Sequence, residues 1–406
     1  MDSMSDRLRS LGFRKAGYIP KKDHIDQLTL ENVVGGQVVQ NSLGEFVLKD
    51  TLYPLDYQHG IISLDTEVET GTINRAARIN TERPALEKLL FIDTETSGLS
   101  GGAGTFAFLV GYGRFTKEGF LLSQVIMRDP VEEPAMLLHL MNQIGREYIF
   151  VSFNGKSFDI PLLQNRLVMN RLPMKLREIQ HLDLLHISRK LWRRSLDSCA
   201  LKDLESAILK FERTSEDVPG WMIPDIYFAF LRTGDPSGLK EVVYHNAQDI
   251  VSLAALFIHI TTLLEKNVAI ETVPIDDLIA ISRIYWDLGS YETSASILQS
   301  TLLHAVDAKQ QISVNSLLGK YYKKIGDLQR SQNHWKFAAE NGDITAGIEL
   351  AMYYEHTKKD PSMALEWCEK ALVFCNTGEN NANNAKYIMD LHKRIKRLQQ
   401  KRRNDV

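Results

Sequence analysis

Cysteine is scarce in this sequence, and long apolar runs are absent. Only Cys199, Cys368 and Cys375 occur among 406 residues, and no two of them form a CxxC pair. Three such cysteines exclude a disulfide framework and offer no zinc-ligand spacing. No apolar segment approaches the roughly 18–20 residues that a membrane-spanning helix needs. We therefore expect a reduced, cytoplasmic protein that does not associate with a membrane.

A secretory signal and an excess of charge of one sign are missing as well. Residues 1–22 carry charges but no apolar core and no small-residue cleavage site. The 48 Lys and Arg nearly balance the 51 Asp and Glu, which leaves a net charge of -3. This balance excludes a uniformly basic nucleic-acid binder and an acidic tail. The hydrophobic share of 44% is typical of a folded protein, and the length predicts two or three domains.

The pattern along the chain divides it into three segments. Residues 1–80 are predicted to be an N-terminal extension, partly flexible, with a candidate β-hairpin around Gly44. In residues 85–265, strand-like apolar runs alternate with helical spacing, which predicts an α/β domain on a mixed sheet. Beyond residue 270 the strand pattern ends, so residues 272–400 are predicted to be all α-helical.

Small residues recur at a repeat spacing in the C-terminal segment. Ser294, Ser331 and Ala364 align with one another, first 37 and then 33 residues apart. The segment resembles a tetratricopeptide array, which implies a protein partner, although a plain helical bundle with an aromatic core is the alternative. It ends in a basic tail, which predicts either a solvated helix face or a phosphate contact. The basic residues of this tail are Lys393, Arg394, Lys396, Arg397, Lys401, Arg402 and Arg403.

Four carboxylates stand at the ends of apolar strands or on helices. Asp93 and Glu95 end an apolar run two positions apart, so a strand points both side chains to one face. Asp159 opens a predicted helix, where a helix-start acid is the alternative interpretation, and Asp249 lies inside a long apolar helix. Burying like charges costs free energy unless cations neutralise them. Oxygen ligands of this kind suit Mg²⁺ or Mn²⁺.

The motifs around these acids resemble the three exonuclease motifs of the DEDD superfamily, 3′–5′ exonucleases with a ribonuclease-H-like fold. The acids lie in FIDTETSGLSGGAGT, FNGKSFDIPLL and VVYHNAQDIVSL, with HLDLLHISRKLWRRSL, CALKDLE and PGWMIPDIY between the second and third. Within that superfamily the motifs resemble the YprB-like ribonuclease-H-like family, which the helical tail also resembles. The resemblance implies an α/β ribonuclease-H-like core with a mixed sheet, followed by an all-α helical-repeat domain.

This resemblance implies a metal-dependent nuclease. Asp93, Glu95, Asp159 and Asp249 match the metal-binding acids position by position and would hold two Mg²⁺ or Mn²⁺ ions. The implied reaction is two-metal hydrolysis of phosphodiester bonds, as a 3′–5′ exonuclease on single-stranded DNA or RNA. Two alternatives stay open. One is a catalytically weak nucleic-acid-binding or adaptor protein that uses its repeats, and the other is a structure-specific endonuclease on the same fold.

The acid–base helper departs from the pattern of the superfamily. Its branches place a Tyr four residues, or a His five residues, before the last metal-binding Asp. Here His245 lies four and Tyr244 five residues before Asp249. Positions i and i+4 share one helix face, and imidazole is the better proton acceptor near neutral pH. We therefore predict that His245 is catalytic, with a surface or capping histidine as the alternative.

Polar and basic residues between the first and third motifs are the predicted nucleic-acid contacts. They are Asn154, Arg189, Arg193, Arg194 and Lys202. The basic residues surround Trp192, which predicts phosphate contacts with an interleaved aromatic ring, or else a solvated helix face. The glycine-rich stretch 98–104 lacks the GxxxxGK[ST] and GxGxxG patterns and is predicted to be a flexible turn beside the active site.

Overall fold

The computed structural model describes most of the chain. It covers residues 28–65, 67–80, 86–98, 104–145, 147–173, 175–214, 217–265, 270–305, 307–377 and 381–404. Two sequence predictions lie outside the described residues: the flexible start of the N-terminal extension and most of the glycine-rich turn.

A seven-stranded sheet forms the centre of the fold, in the order β1-β2-β7-β6-β5-β8-β9, and β3 and β4 form a separate small hairpin. The strands are β1 Gln37–Asn41, β2 Gly44–Pro54, β3 Gln58–His59, β4 Ile62–Ser63, β5 Leu89–Thr96, β6 Ala107–Thr116, β7 Gly119–Ile126, β8 Ile149–Ser152 and β9 His181–Asp183.

The helices flank this sheet and then continue alone to the C-terminal end of the described chain. They are α1 Leu30–Val34, α2 Gly71–Ala77, α3 Glu133–Gln143, α4 Asp159–Met169, α5 Leu184–Trp192, α6 Leu201–Leu204, α7 Ile223–Thr233, α8 Leu239–Leu263, α9 Ile275–Asp287, α10 Tyr291–His304, α11 Ala308–Lys324, α12 Leu328–Glu340, α13 Ile344–Tyr353, α14 Pro361–Thr377 and α15 Asn381–Asn404.

Strand β5 lies between the antiparallel and the parallel parts of the sheet. It pairs antiparallel with β6 on one side and parallel with β8 on the other, and β8 pairs parallel with β9. The short strand β8 pairs with β5 only from Leu89 to Phe91. The next residues of β5 therefore have an edge that other elements can approach.

Alternate side chains of β5 enter hydrophobic cores on opposite faces of the sheet. Leu89 and Phe91 belong to a core with α5 and most of α8, whereas Leu90 and Ile92 belong to a core with α3 and α4. By the same alternation, Asp93 and Glu95 face α8. The predicted fold class is confirmed: an α/β core on a mixed sheet is followed by a largely helical region.

The C-terminal region is a succession of helices in which each one from α9 to α15 contacts the next. The aligned small residues Ser294, Ser331 and Ala364 are all buried in it. This burial agrees with the proposed alignment, but assignment to the tetratricopeptide family stays a prediction. Among the described residues, no helix is both long and apolar enough to cross a bilayer.

The basic tail takes part in an internal ion-pair cluster. Arg394, Arg397 and Lys401 lie 3.0, 2.7 and 3.5 Å from carboxylate oxygens of Glu355, whose side chain is only 2% exposed. The buried Glu355 therefore holds α15 against the preceding helices. These three cations have a structural partner, so the tail is not a uniformly solvated face.

The division of the chain into residues 1–80, 85–265 and 272–400 stays a prediction. Strands β1 and β2 form an antiparallel pair, and β2 extends the central sheet beside β7. On the other side, Ile281 and Tyr285 of α9 share a hydrophobic core with α8. Both outer segments therefore contact the middle one through its sheet or its core.

Candidate metal centre

Asp93 and Glu95 form the base of the candidate site on the open edge of β5. Glu95 is 9% exposed, and the pairing of β5 with β6 is irregular directly after it. Such an irregularity re-aims side chains and is common beside active sites. Asn246 of α8 donates a hydrogen bond from its Nδ2 to Asp93 Oδ2 at 3.0 Å. The strand and α8 are therefore joined directly at the acids.

The close approach of α8 depends on a glycine opposite Asp93. Gly111 of β6 is the register partner of Asp93. A Cβ atom at Gly111 would lie 2.2 Å from Asn246 Oδ1 and 2.3 Å from Ile250 Cδ1. Asn246 is fully buried and also accepts a hydrogen bond from Gln124 Nε2 at 3.0 Å, so its amide has little freedom to move.

We expect the substitution Gly111→Ala to lower the free energy of unfolding by about 1–3 kcal/mol, because it overpacks this contact. Urea denaturation measures the change. Gly220→Ala is the matched control, since a Cβ atom there meets nothing within 4 Å. Equal stability of the two variants would contradict the close packing of β6 against α8.

Asp159 reaches the site from the other face of the sheet. It is the first residue of α4, and its Oδ1 accepts a hydrogen bond from Thr94 Oγ1 at 2.5 Å. The predicted helix-start position is therefore real, but the carboxylate is also bound to β5 between Asp93 and Glu95. Three chain segments, β5, α4 and α8, bring the four sequence-predicted acids together.

Burial and mutual repulsion perturb these acids. The pKa of Asp93 and that of Glu95 are raised well above their ordinary values by burial first and then by the charges of Asp249 and Asp159. Burial raises the pKa of Asp159 to about 6, although the Thr94 hydroxyl favours its charged form. Without a cation, the folded protein therefore bears an electrostatic cost at neutral pH.

Arg213 forms an ion pair with Asp249 through its Nη2. Its guanidinium also binds the buried Glu205 at 2.6 Å, and these carboxylates hold the pKa of Arg213 above its ordinary value although burial opposes the rise. Within the part of the chain that the structure describes, no other Lys or Arg forms an ion pair with any of the four acids. One guanidinium cannot balance four carboxylates.

His245 lies among the acids and has a carboxylate on its far side. Its Nε2 is 3.4 Å from Asp249 Oδ2, and its Nδ1 is 2.7 Å from Asp217 Oδ1. Tyr244, in contrast, is turned to Thr214, whose Oγ1 donates a hydrogen bond to the Tyr244 hydroxyl at 3.1 Å. The structure thus brings the imidazole, and not the phenol hydroxyl, into contact with Asp249.

The donor set fits a divalent cation. Glu95, His245 and Asp249 each offer a ligand atom, and these atoms lie within 4.8 Å of one another. Asp93 and Asp159 add carboxylates to the same partly buried cluster, as the effects of these charges on the pKa of Asp93 and Glu95 show. Carboxylate oxygens are the ligands that Mg²⁺ and Mn²⁺ prefer, and two divalent cations would match four ionised carboxylates in charge.

Several residues that organise the site could not be recognised from the sequence. They are Arg213, Asp217, Glu205 and Asn246. The signal for the first two was a dense run of charges in residues 212–217, which has no spacing that indicates a site. Glu205 belongs to a short π-helix, Glu205–Leu209, that continues α6, and a carboxylate there has no sequence signature.

Asn154 belongs to a tight loop beside the acids. Its backbone has a φ of 67°, and its N–H donates to Asp183 Oδ1 at 2.8 Å. Asp183 also accepts from the N–H groups of Lys156 and Leu185. Asp183 therefore shapes the loop between β8 and α4 that leads to Asp159. Asn154 stays a predicted nucleic-acid contact.

The structure separates the predicted basic cluster into two places. Lys202 lies near the acids, because its Nζ is 3.4 Å from Asp217 Oδ2. Arg189, Arg193 and Arg194 instead lie at the far end of α5. Trp192 stacks there on His259, which is ten residues after Asp249 on α8 and hence about 15 Å along the helix axis.

Trp192 does not offer a surface for a nucleic-acid base. Its side chain is 1% exposed, and its Nε1 donates to Asp277 Oδ2 at 3.3 Å. The interpretation of Trp192 as an interleaved stacking residue is therefore wrong. Its ring packs in the core because α9 covers it. The contact between Trp192 and Asp277 joins residues that are 85 positions apart in the sequence.

Known proteins with this fold are similar to the chain in sequence. The family profile of the RNase H superfamily matches residues 90–261, from β5 to near the end of α8. The described core is thus an RNase H-like nuclease fold that contains the acidic cluster. The uncharacterized protein YprB of Bacillus subtilis (strain 168) is 32% identical over 365 residues, which cover 87% of this chain and 86% of that protein. The chain therefore belongs to the YprB-like family of RNase H-like proteins, as its motifs predicted.

Proposed function

We propose that this protein is a metal-dependent 3′–5′ exonuclease that hydrolyses phosphodiester bonds of single-stranded nucleic acid. The observation that supports this most directly is the partly buried cluster of Asp93, Glu95, Asp159 and Asp249 in an RNase H-like fold. Four carboxylates with one guanidinium partner leave a negative site inside the described protein. Such a cluster has a chemical use if divalent cations occupy it.

In this proposal the four carboxylates hold two Mg²⁺ or Mn²⁺ ions. The bound ions would activate water for attack and balance the negative charge of the phosphate. The positions of these four carboxylates would determine where the positive charge of the ions is available to the phosphate. Asn246 and Thr94 orient two of these carboxylates through hydrogen bonds of 3.0 and 2.5 Å.

His245 is the proposed proton acceptor. If Nδ1 donates to Asp217, Nε2 is left unprotonated and directed toward the acids, where it can take a proton from the attacking water. Asp217 is then a positioning residue that selects the tautomer. Lys202 and Asn154 are proposed to contact the strand close to this centre.

Residues 85–265 are the proposed nuclease domain, and residues 272–400 are proposed to be tetratricopeptide-like repeats for a protein partner. The sequential contacts from α9 to α15 and the burial of Ser294, Ser331 and Ala364 support this interpretation.

Cleavage of end-labelled strands tests the proposed function. The full chain is incubated with 5′-labelled single-stranded DNA or RNA in Mg²⁺, Mn²⁺ or a chelator. We expect a metal-dependent ladder of products shortened from the 3′ end, since an exonuclease removes one nucleotide at a time. A single internal cut would favour an endonuclease on the same fold. Absence of cleavage with every strand and metal would reject the nuclease and favour a binding or adaptor protein.

A further inference from the structure

A cavity of about 410 Å³ lies where α5 meets α9 and α11. Its volume is within the range of about 300–1,000 Å³ that is typical of small-molecule sites. Six cations line it: Arg189, Lys190, Arg193, Arg194, Arg283 and Lys320. Asp287 is the single acid among its described lining residues. The catalytic core and the helical region thus contribute to one strongly basic cavity.

Most of these cations have no anionic partner. Lys190 forms an ion pair with Asp287 at 3.1 Å. Lys320 lies over the ring of Trp286, 4.4 Å from its centroid. Among the residues that the structure describes, the remaining four arginines form no ion pair and no side-chain hydrogen bond. Several guanidinium groups therefore converge on the cavity without a protein acceptor among the described residues.

Arg283 is in the least favourable environment of this group. Burial, together with the charge of Arg194, lowers the pKa of Arg283 to about 10. The guanidinium is still charged at neutral pH, and the carboxylate of Asp276 offsets only part of the cost. A partly buried cation beside like charges is destabilising unless an anion joins it.

The cavity is held in place by contacts between the two regions. Trp192 of α5 binds Asp277 of α9, as described above, and the Tyr285 hydroxyl donates to Leu264 O at 2.7 Å. These buried contacts fix α9 against α5 and α8 before any ligand binds. The helices that carry these arginines are therefore in place without a ligand, which lowers the entropy cost of binding.

We propose that this cavity is a phosphate-binding site at the junction of the two regions. Arg guanidinium groups bind phosphate oxygens through paired hydrogen bonds, and Trp286 adds an aromatic surface to the same wall. The ligand is the backbone of the strand that is cut at the metal centre. Trp192, which precedes Arg193 in the chain, packs on α8 about 15 Å along the helix axis from Asp249. This identification of the ligand rests on the proposed function, and a free nucleotide offers the same chemistry.

Equilibrium binding in a chelator tests the site without any turnover. Full-length wild type, Arg193→Gln and Arg283→Gln are titrated into a labelled single strand of about fifteen nucleotides at several salt concentrations. Each substitution is expected to weaken binding by about tenfold and to reduce the salt dependence by about one phosphate contact. Arg232→Gln, an exposed arginine of α7, is the matched control and should bind like wild type.

Two small ligands distinguish the two sources of phosphate: uridine monophosphate and inorganic phosphate. Each is used as a competitor of the strand and in thermal-shift measurements. Uridine monophosphate could raise the melting temperature of wild type but not of Arg283→Gln, while both proteins bind the strand equally well. That result would support a site for a free phosphate ester. Unchanged binding of strand and nucleotides in both variants would overturn the proposal. Arg193 is exposed, so its variant tests the site even if Arg283→Gln unfolds. A protein that cuts no substrate but loses strand affinity in these variants would keep this site and refute the proposed nuclease.

Discussion

Asp93→Asn is expected to lower metal-dependent cleavage by at least about 10³-fold. The substitution removes one charge from the carboxylate cluster and weakens the hold on the ions, which supply several kcal/mol of transition-state stabilisation. Initial rates on an end-labelled strand measure the effect. Asparagine keeps the shape of the side chain, so the hydrogen bond from Asn246 can persist and the fold should be retained.

Glu118→Gln is the control for this variant. Glu118 is an exposed acid in the turn between β6 and β7, away from the cluster, and its substitution should leave the rate unchanged. Full activity of Asp93→Asn would show that the four acids are not the catalytic centre.

The same substitution should have the opposite effect on stability in the absence of metal. Because the pKa of Asp93 is raised in the folded state, its contribution to stability is complete below the unfolded pKa and is lost as pH rises through the folded pKa. Metal-free Asp93→Asn should therefore melt at a higher temperature than wild type at pH 8, with a smaller difference at acid pH. Mg²⁺ or Mn²⁺ should stabilise wild type more than the variant, because bound ions relieve the repulsion. An equal metal-induced shift in both proteins would contradict the assignment of Asp93 as a ligand.

His245→Ala is expected to lower kcat by about 10²–10⁴-fold, the range for loss of a general base. Tyr244→Phe is the matched variant one residue away. The hydroxyl that this substitution removes is bonded to Thr214 and not to an acid of the cluster. We therefore expect kcat to change by less than about threefold. Equal losses in the two variants would reject His245 as the proton acceptor.

Asp217→Asn tests whether His245 acts through a fixed tautomer. The amide can no longer serve as a charged acceptor for Nδ1–H, so kcat should fall by about 10–100-fold with KM little changed. A purely structural role would instead lower the melting temperature without this separation of kcat from KM. Loss of activity in Asp217→Asn but not in His245→Ala would assign the effect to Arg213, which Asp217 also contacts.

Much of the core could be predicted from local patterns. The apolar run that ends at Asp93 predicted β5, and helical spacing predicted α4 and α8, because burial on one face imposes a period on the side chains. The extent of the sheet could not be predicted in this way. Strand β2 pairs with β7, some seventy residues later, and no local pattern indicates which distant edge a strand will join.

In the candidate site, too, some contacts could be predicted from local patterns and others could not. Asp93 and Glu95 could be paired from their spacing alone, and Asp249 with His245 from one helix turn. Arg213 and Asp217 could not be connected to them, because they lie in a stretch between α6 and α7 whose path depends on what it packs against. The two contacts that they make with α8 span 36 and 28 positions of sequence.

The order and spacing of the acids, the alternation of strands and helices and the likeness to the YprB-like family are properties of the chain itself. They depend on neighbours within a few residues, whose geometry is set by the backbone. Tertiary structure decided which charges meet. It turned Trp192 inward under α9, separated Lys202 from the arginines after α5, and brought Arg283 to those arginines instead. Packing of α9 on α5 decides the contacts of Trp192 and Arg283. Electrostatic partners follow from distance in space and burial, and neither can be derived from distance along the chain.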